Sequence, residues 1–70
     1  KVAGGYKVTV GSIEHPMLPE HFIQWIELHT PSSVLRKELN PGMKPEALFL
    51  TDEEALYALE FCNLHGLWKK

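Results

Sequence analysis

Residues 22–28 read Phe22-Ile23-Gln24-Trp25-Ile26-Glu27-Leu28, and this stretch is the strongest indicator of the architecture. Large apolar side chains fall on both odd and even positions, which is typical of a strand covered on both faces or of a short buried helix. The shortness of the stretch and its aromatic and β-branched residues favour a strand. We therefore predict a strand here and interpret the neighbouring segments around it.

Three further segments are predicted as strands, with turn residues between them. Residues 6–10 alternate apolar and polar side chains and lie between two glycine-containing stretches. Residues 34–39 and 47–51 are predicted as short strands on either side of Asn40-Pro41-Gly42. This tripeptide is a strong turn signal, because proline presets one central dihedral angle and glycine supplies a positive φ. Residues 13–20 contain two prolines and are predicted to be irregular.

Residues 51–60 carry conflicting signals. Thr51 precedes three acidic residues and then an apolar run, which is typical of a capped helix with negative charge in its first turn. Gly66 suits the end of such a helix. The spacing of short strands between turns favours an all-β sandwich instead, and a sandwich needs a strand in this segment. The local sequence leaves both structures open.

Length and composition indicate one small globular domain spanning residues 1–70. A domain of this size buries only roughly 60% of the surface that its unfolded chain exposes, so its stability is marginal without help. The single cysteine cannot form an internal disulfide. A bound metal or a homo-oligomeric partner is therefore the expected source of additional stability. The net charge of −2 comes without a basic stripe, which gives no support to a nucleic-acid role.

The sequence contains no long apolar run and no signal-peptide pattern, so we expect a soluble protein. The lone cysteine is compatible with the cytoplasm. The sequence begins with Lys1 rather than methionine, and we therefore expect a fragment or a trimmed chain.

The residues that carry chemistry lie near both ends of the sequence. Cys62-Asn63-Leu64-His65-Gly66 contains the only cysteine, and His15 and His21 lie six residues apart near the other end. One thiolate and three imidazoles form a soft ligand set, suited to iron, copper or zinc rather than magnesium or calcium. On a helix, His15 and His21 would not lie on the same face, and along one strand they would be too far apart to bind a common ion. They can converge only if the proline-containing loop between them folds back.

Four blocks of this sequence together closely resemble the iron domain of superoxide reductases, a family that includes desulfoferrodoxin and neelaredoxin. They follow the family order from about Val8 to Lys69: His15-Pro16-Met17, residues 20–28, residues 41–47 and residues 62–69. The resemblance implies an immunoglobulin-like β-sandwich that holds a mononuclear non-haem iron in loops at one end. It also implies a strand at about residues 56–61.

The resemblance further implies a ligand set. In the family, four histidines lie in a plane around iron, a cysteine thiolate is axial, and the sixth position stays open for superoxide in the ferrous state. Carried over by motif, His15, His21 and His65 are equatorial ligands and Cys62 is the axial ligand. Neutral imidazoles suit Fe(II), and an anionic sulfur opposite the substrate donates electron density toward it.

One part of the family pattern has no counterpart in these 70 residues. In the family, an upstream Glu-Lys-His segment supplies the fourth histidine, a lysine that attracts superoxide and a glutamate that can cap the oxidised iron. The resemblance therefore implies a chain truncated at its N-terminus relative to the family. His29 is predicted to lie at the surface at the end of a strand, too far from His21 to complete the site.

The aromatic and aliphatic residues of the motifs have a structural interpretation. We predict that four of them pack in the core rather than contact a substrate: Phe22, Trp25, Ile26 and Trp68.

The function implied by the resemblance is the one-electron reduction of superoxide to hydrogen peroxide, with a small electron donor such as rubredoxin restoring Fe(II). Without the upstream lysine and histidine we expect reduced activity or loosely held metal. One alternative is a non-catalytic structural or interaction module, since three nitrogens and one sulfur also suit a closed tetrahedral zinc site. A further alternative is that these residues are a piece of a longer, ordinary enzyme.

Overall fold

A computed structural model describes residues 2–11 and 15–69, and within those ranges every regular element is a strand. The six strands are β1 (Gly5–Thr9), β2 (Ile23–His29), β3 (Val34–Glu38), β4 (Glu46–Leu50), β5 (Tyr57–Cys62) and β6 (Gly66–Lys69). These strands confirm the predicted all-β class. In the described part of the chain no helix is long and apolar enough to cross a membrane. Residues 12–14 lie outside the described residues, as do Lys1 and Lys70, so the irregular structure predicted for residues 13 and 14 falls outside them.

The strands form two antiparallel sheets. β1 pairs with β4 in one sheet, and the other has the order β3-β2-β5-β6. β2 therefore has a neighbouring strand on each side, but its two faces differ in burial, since Trp25, Glu27 and His29 are only partly buried. Ile23, Ile26 and Leu28 are all buried. A register shift between Ile23 and Trp25 breaks the simple alternation, so that Ile23 is buried although it differs in parity from Ile26.

The buried core confirms the prediction for Ile26 and corrects it for the aromatic residues. Trp25 is only partly buried, stacks on Phe61 with ring centroids 6.0 Å apart, and has the Arg36 guanidinium 4.3 Å from its ring. Phe22 is also only partly buried. Trp68 is 58% exposed, because it lies on β6, at the edge of a sheet that is wider than the one facing it.

Residues 51–60 form a loop followed by a strand, so the helix signal was misleading. The Thr51 hydroxyl does accept the Glu53 N–H at 3.1 Å, the bond that a helix N-cap would make. The Glu53 carboxylate, however, accepts hydrogen bonds from the hydroxyls of Thr30 at 2.7 Å and Ser32 at 2.6 Å. These bonds tie the loop to the β2–β3 turn, and β5 then begins at Tyr57. Long-range contacts therefore override local propensity here.

The Glu53 network makes folding stability depend on pH. Hydrogen bonds from Ser32 and Thr30 lower the pKa of Glu53 below its ordinary value of 4.5. The folded state therefore favours the carboxylate form of Glu53. The stabilisation of the fold by this carboxylate is present above pH 4.5 and is lost as the pH falls through the lower pKa of the folded state.

We expect Glu53→Gln to destabilise the protein at neutral pH and to match the wild type in strong acid. Urea unfolding at a series of pH values measures this, with the exposed neighbour Glu54→Gln as the control. A destabilisation by Glu53→Gln that stays constant down to about pH 2 would contradict it.

Candidate metal centre

Two ligand candidates lie at the turn between β5 and β6. Cys62 is the last residue of β5 and pairs with Gly66, the first residue of β6. Gly66 has a φ of 81°, a conformation that side-chain-bearing residues rarely adopt. The glycine thus allows a turn of three residues, 63–65, which carries His65 at the same end of the sheet as Cys62.

The other two candidates lie on the loop that precedes β2. Leu18 and His21 exchange two backbone hydrogen bonds of 2.9 Å, which close a tight turn. Met17 anchors this loop: its carbonyl accepts the Gly42 N–H at 2.8 Å, and its sulfur accepts the Ile23 N–H at 3.4 Å. The proline-containing loop folds back, which the spacing of the two histidines had left open, and the ring centroids of His15 and His21 lie 4.8 Å apart.

The structure brings all four predicted ligands together. One ligand atom from each of His15, His21, Cys62 and His65 can be chosen so that all four lie within 4.8 Å of one another. The His21 and His65 ring centroids are 4.8 Å apart, and those of His15 and His65 are 5.9 Å apart. Cys62 is 1% exposed, whereas His65 is open to solvent. A group this compact, with three nitrogens and one sulfur, is able to hold a single metal ion.

Two unpartnered nitrogens support this interpretation. The Nε2 atoms of His15 and His21 are buried and have no hydrogen-bond partner. His15 Nδ1 lies 2.7 Å from the Pro16 carbonyl, which can only accept, so Nδ1 donates this bond and the lone pair of the neutral ring is on Nε2. Buried polar atoms without partners destabilise a fold. A metal ion bound by these nitrogens would remove that cost, and the residues present therefore fit one.

The electrostatics at His21 favour the neutral ring. Burial lowers the pKa of His21, and the neighbouring His15 and His65 lower it further, while Glu20 opposes them. A neutral imidazole is the form that binds a metal, because a protonated ring has no free lone pair. Burial, together with the two neighbouring imidazoles, thus prepares His21 for a ligand role.

His29 lies apart from this group. Its Nε2 is 3.0 Å from a Glu27 carboxylate oxygen, and its ring stacks on Tyr57 with centroids 4.5 Å apart. The side chain is only 18% exposed, so the prediction of a surface histidine was wrong in that respect. Within the described residues, the ligand group therefore contains three histidines.

A cavity of about 300 Å³ adjoins the ligand group. His15, Cys62 and His65 line it together with Glu60 and Lys69. Nothing in the sequence pattern pointed to Glu60 on β5 or Lys69 on β6 as residues beside the ligand group. Asn63 was recognised only as part of a motif, since its contacts are with backbone groups far away in the sequence.

The chain is similar to proteins of one family throughout its length. The family model described as Desulfoferrodoxin matches residues 3–70. Desulfoferrodoxin of Desulfarculus baarsii is 49% identical, with 99% of this chain and 55% of that protein covered. Desulfoferrodoxin of Nitratidesulfovibrio vulgaris is 52% identical with the same coverage. The chain thus spans about half the length of these curated relatives.

A solved structure agrees with the sequence comparisons. The superoxide reductase from Treponema pallidum superposes with a TM-score of 0.92 at 46% identity, covering 100% of this chain and 59% of that one. This likeness confirms the predicted β-sandwich-like fold. Together with the family match, it shows that the chain belongs to the desulfoferrodoxin family.

Proposed function

We propose that residues 1–70 are a single iron-binding domain of the superoxide reductase type, which reduces superoxide to hydrogen peroxide. The observation that carries the proposal is the compact group of three imidazoles and one buried cysteine. Family membership supports iron as the metal, and a relative from Pyrococcus horikoshii, 41% identical over 90% of this chain, is named superoxide reductase.

His15, His21, Cys62 and His65 would hold the iron. When bound, iron supplies one-electron redox chemistry that none of these side chains has by itself. Cys62 would bind as a thiolate and release its proton, so metal affinity should rise with pH. Its burial limits the access of water and oxidants to the sulfur. The neutral ring favoured at His21 removes the need to displace a proton there.

The surroundings of the group suit a small anionic substrate. The cavity beside His15 and His65 is large enough for a diatomic molecule, and His65 is open to solvent. Lys69 and Glu60 both line this cavity, and their charges oppose each other, so we assign neither a role in attracting the anion. The reaction consumes one electron and two protons for each superoxide. Solvent can deliver the protons through the exposed side of the site.

In this proposal, the electron that reduces the iron and the fourth histidine ligand both come from outside the described residues. A small electron donor such as rubredoxin would return the iron to the ferrous state. A fourth histidine would come from another part of the protein or from a second copy of the chain. We further propose a reducing compartment such as the cytoplasm, since the single cysteine is free.

The first test is metal-dependent stability. We expect Fe(II), added without oxygen, to raise the unfolding temperature of the metal-free chain, because a ligand at about 100 times its Kd stabilises the folded state by about 2.7 kcal/mol. His21→Ala and Cys62→Ser should lose most of that increase. His29→Ala is the matched control and should keep it, because His29 lies outside the ligand group. The ligand assignment fails if His29→Ala loses as much as His21→Ala.

The second test is the stoichiometry of the reaction. The iron-loaded, reduced chain should consume superoxide delivered by pulse radiolysis and form one hydrogen peroxide per superoxide. Dismutation would give one peroxide per two superoxide molecules and would release oxygen. Cys62→Ser, loaded with iron as far as it can be, should be at least about 100-fold slower, since a ligand that tunes the metal is missing. Tight binding of colourless zinc in place of iron, with no superoxide consumption, would contradict the proposed function.

A further inference from the structure

The side chain of Asn63 connects the two segments that carry the ligands. Asn63 lies between Cys62 and His65 in the β5–β6 turn. Its Oδ1 accepts the backbone N–H of Phe22 at 2.9 Å, and its Nδ2 donates to the backbone carbonyl of Glu20 at 3.0 Å. Glu20 and Phe22 are the two sequence neighbours of His21, so this one carboxamide holds the backbone on both sides of that histidine.

The orientation of the Asn63 amide is determined by its partners. The Phe22 N–H can only donate and the Glu20 carbonyl can only accept, so the oxygen must face Phe22 and the nitrogen must face Glu20. The backbone N–H of Asn63 adds a third bond, to the Phe22 carbonyl at 3.2 Å. The contact of 3.9 Å from the Cys62 thiol to Oδ1 needs the sulfur proton. Metal binding would remove that proton, so this contact cannot position a ligand in the metal-bound protein.

The hydrogen bonds within the loop do not connect His21 to the segment that carries Cys62 and His65. The paired bonds between Leu18 and His21 close the turn within the loop, but both partners belong to that loop. They define the shape of the loop and leave its distance from Cys62 and His65 unfixed. The pairing of Ile23 with Cys62 and the backbone bond from Asn63 to Phe22 bring the two segments together. The side-chain amide of Asn63 adds two bonds, to the residues on either side of His21, and so holds that histidine relative to Cys62 and His65.

We propose that Asn63 is a positioning residue, which holds the His21 ring at the place where a metal shared with Cys62 and His65 can be bound. This inference rests on the proposed function, since it assumes that the four-residue group binds a metal. Asparagine suits the task because its short side chain offers one acceptor and one donor in a fixed plane. Aspartate would keep the bond from Phe22 but turn an oxygen toward the Glu20 carbonyl. Leucine would keep the approximate shape and lose both bonds.

The test compares Fe(II) affinity in the 70-residue chain and in three variants. Competition with a chromogenic chelator in the absence of oxygen gives the dissociation constants. We expect Asn63→Leu to bind Fe(II) at least about 10-fold more weakly, the scale found when partners of metal ligands are removed. Asn63→Asp should fall between Asn63→Leu and the wild type. Leu64→Ala, the neighbour in the same turn that is 63% exposed, should stay within about twofold.

A spectroscopic measurement separates positioning from general destabilisation. In the cobalt-loaded chains, the hyperfine-shifted ring-proton signals of the bound histidines can be followed by NMR. We expect the Asn63 variants to move the His21 signals much more than those of His15, because only His21 loses its flanking bonds. The unfolding temperatures of the metal-free chains show which variants fold. If Asn63→Leu does not fold, Asn63→Asp alone tests whether Asn63 positions His21.

Three results would count against the positioning role of Asn63. Wild-type affinity in both Asn63 variants would overturn it while leaving the proposed function intact. Equal movement of all three histidine signals, with a loss of affinity matched by Leu64→Ala, would also overturn it. A wild-type chain that binds no Fe(II) would overturn the proposed function and this inference with it.

Discussion

The pairing of β2 with β5 is the interaction on which the site depends. The register places Ile23 opposite Cys62. His21 therefore comes two residues before one member of this pair, and His65 comes three residues after the other. Because side chains alternate along a strand, a slip of one residue would turn Cys62 to the other face of the sheet and away from the histidines. The geometry of the ligand group is thus a consequence of strand register, and register in turn depends on which side chains are buried.

Folding and metal binding share residues in this chain. Cys62 is a member of the hydrophobic core and also a member of the ligand group. His15 and His21 each bury a nitrogen without a partner, and an unmet buried polar group costs about 1–3 kcal/mol. A chain of 70 residues has little stability to lose. A metal that satisfies these atoms would therefore stabilise the fold with the same contacts that prepare the site for chemistry.

The sequence was most informative where local pattern and burial agree. The apolar run of residues 22–28 predicted β2 to within one residue at each end, because its aliphatic residues Ile23, Ile26 and Leu28 are buried in the core. The local sequence left residues 51–60 open between helix and strand, because the helix-like signal of Thr51 and Glu53 serves a turn that is tied to Thr30, 23 residues away from Glu53. The resemblance to a family implied the strand at about residues 56–61, and β5 confirms it. Trp68 is exposed because it lies on an edge strand, and the hydrophobicity of a residue does not show which strand is at the edge.

For the site, the spacing of His15 and His21 did not decide whether the two side chains converge, and only the resemblance to a family suggested that they do. The contacts of Asn63 were invisible because its partners are backbone groups 41 and 43 residues away.

The metal centre as proposed holds one iron ion between the Cys62 sulfur and the imidazoles of His15, His21 and His65. X-ray absorption at the iron edge of the Fe(II)-loaded chain tests this arrangement, because sulfur and nitrogen neighbours scatter at different distances and strengths. We expect one sulfur and at least three imidazole nitrogens bound directly to the iron, with the sulfur absent in Cys62→Ser. A wild-type spectrum with only oxygen and nitrogen neighbours would refute the assignment.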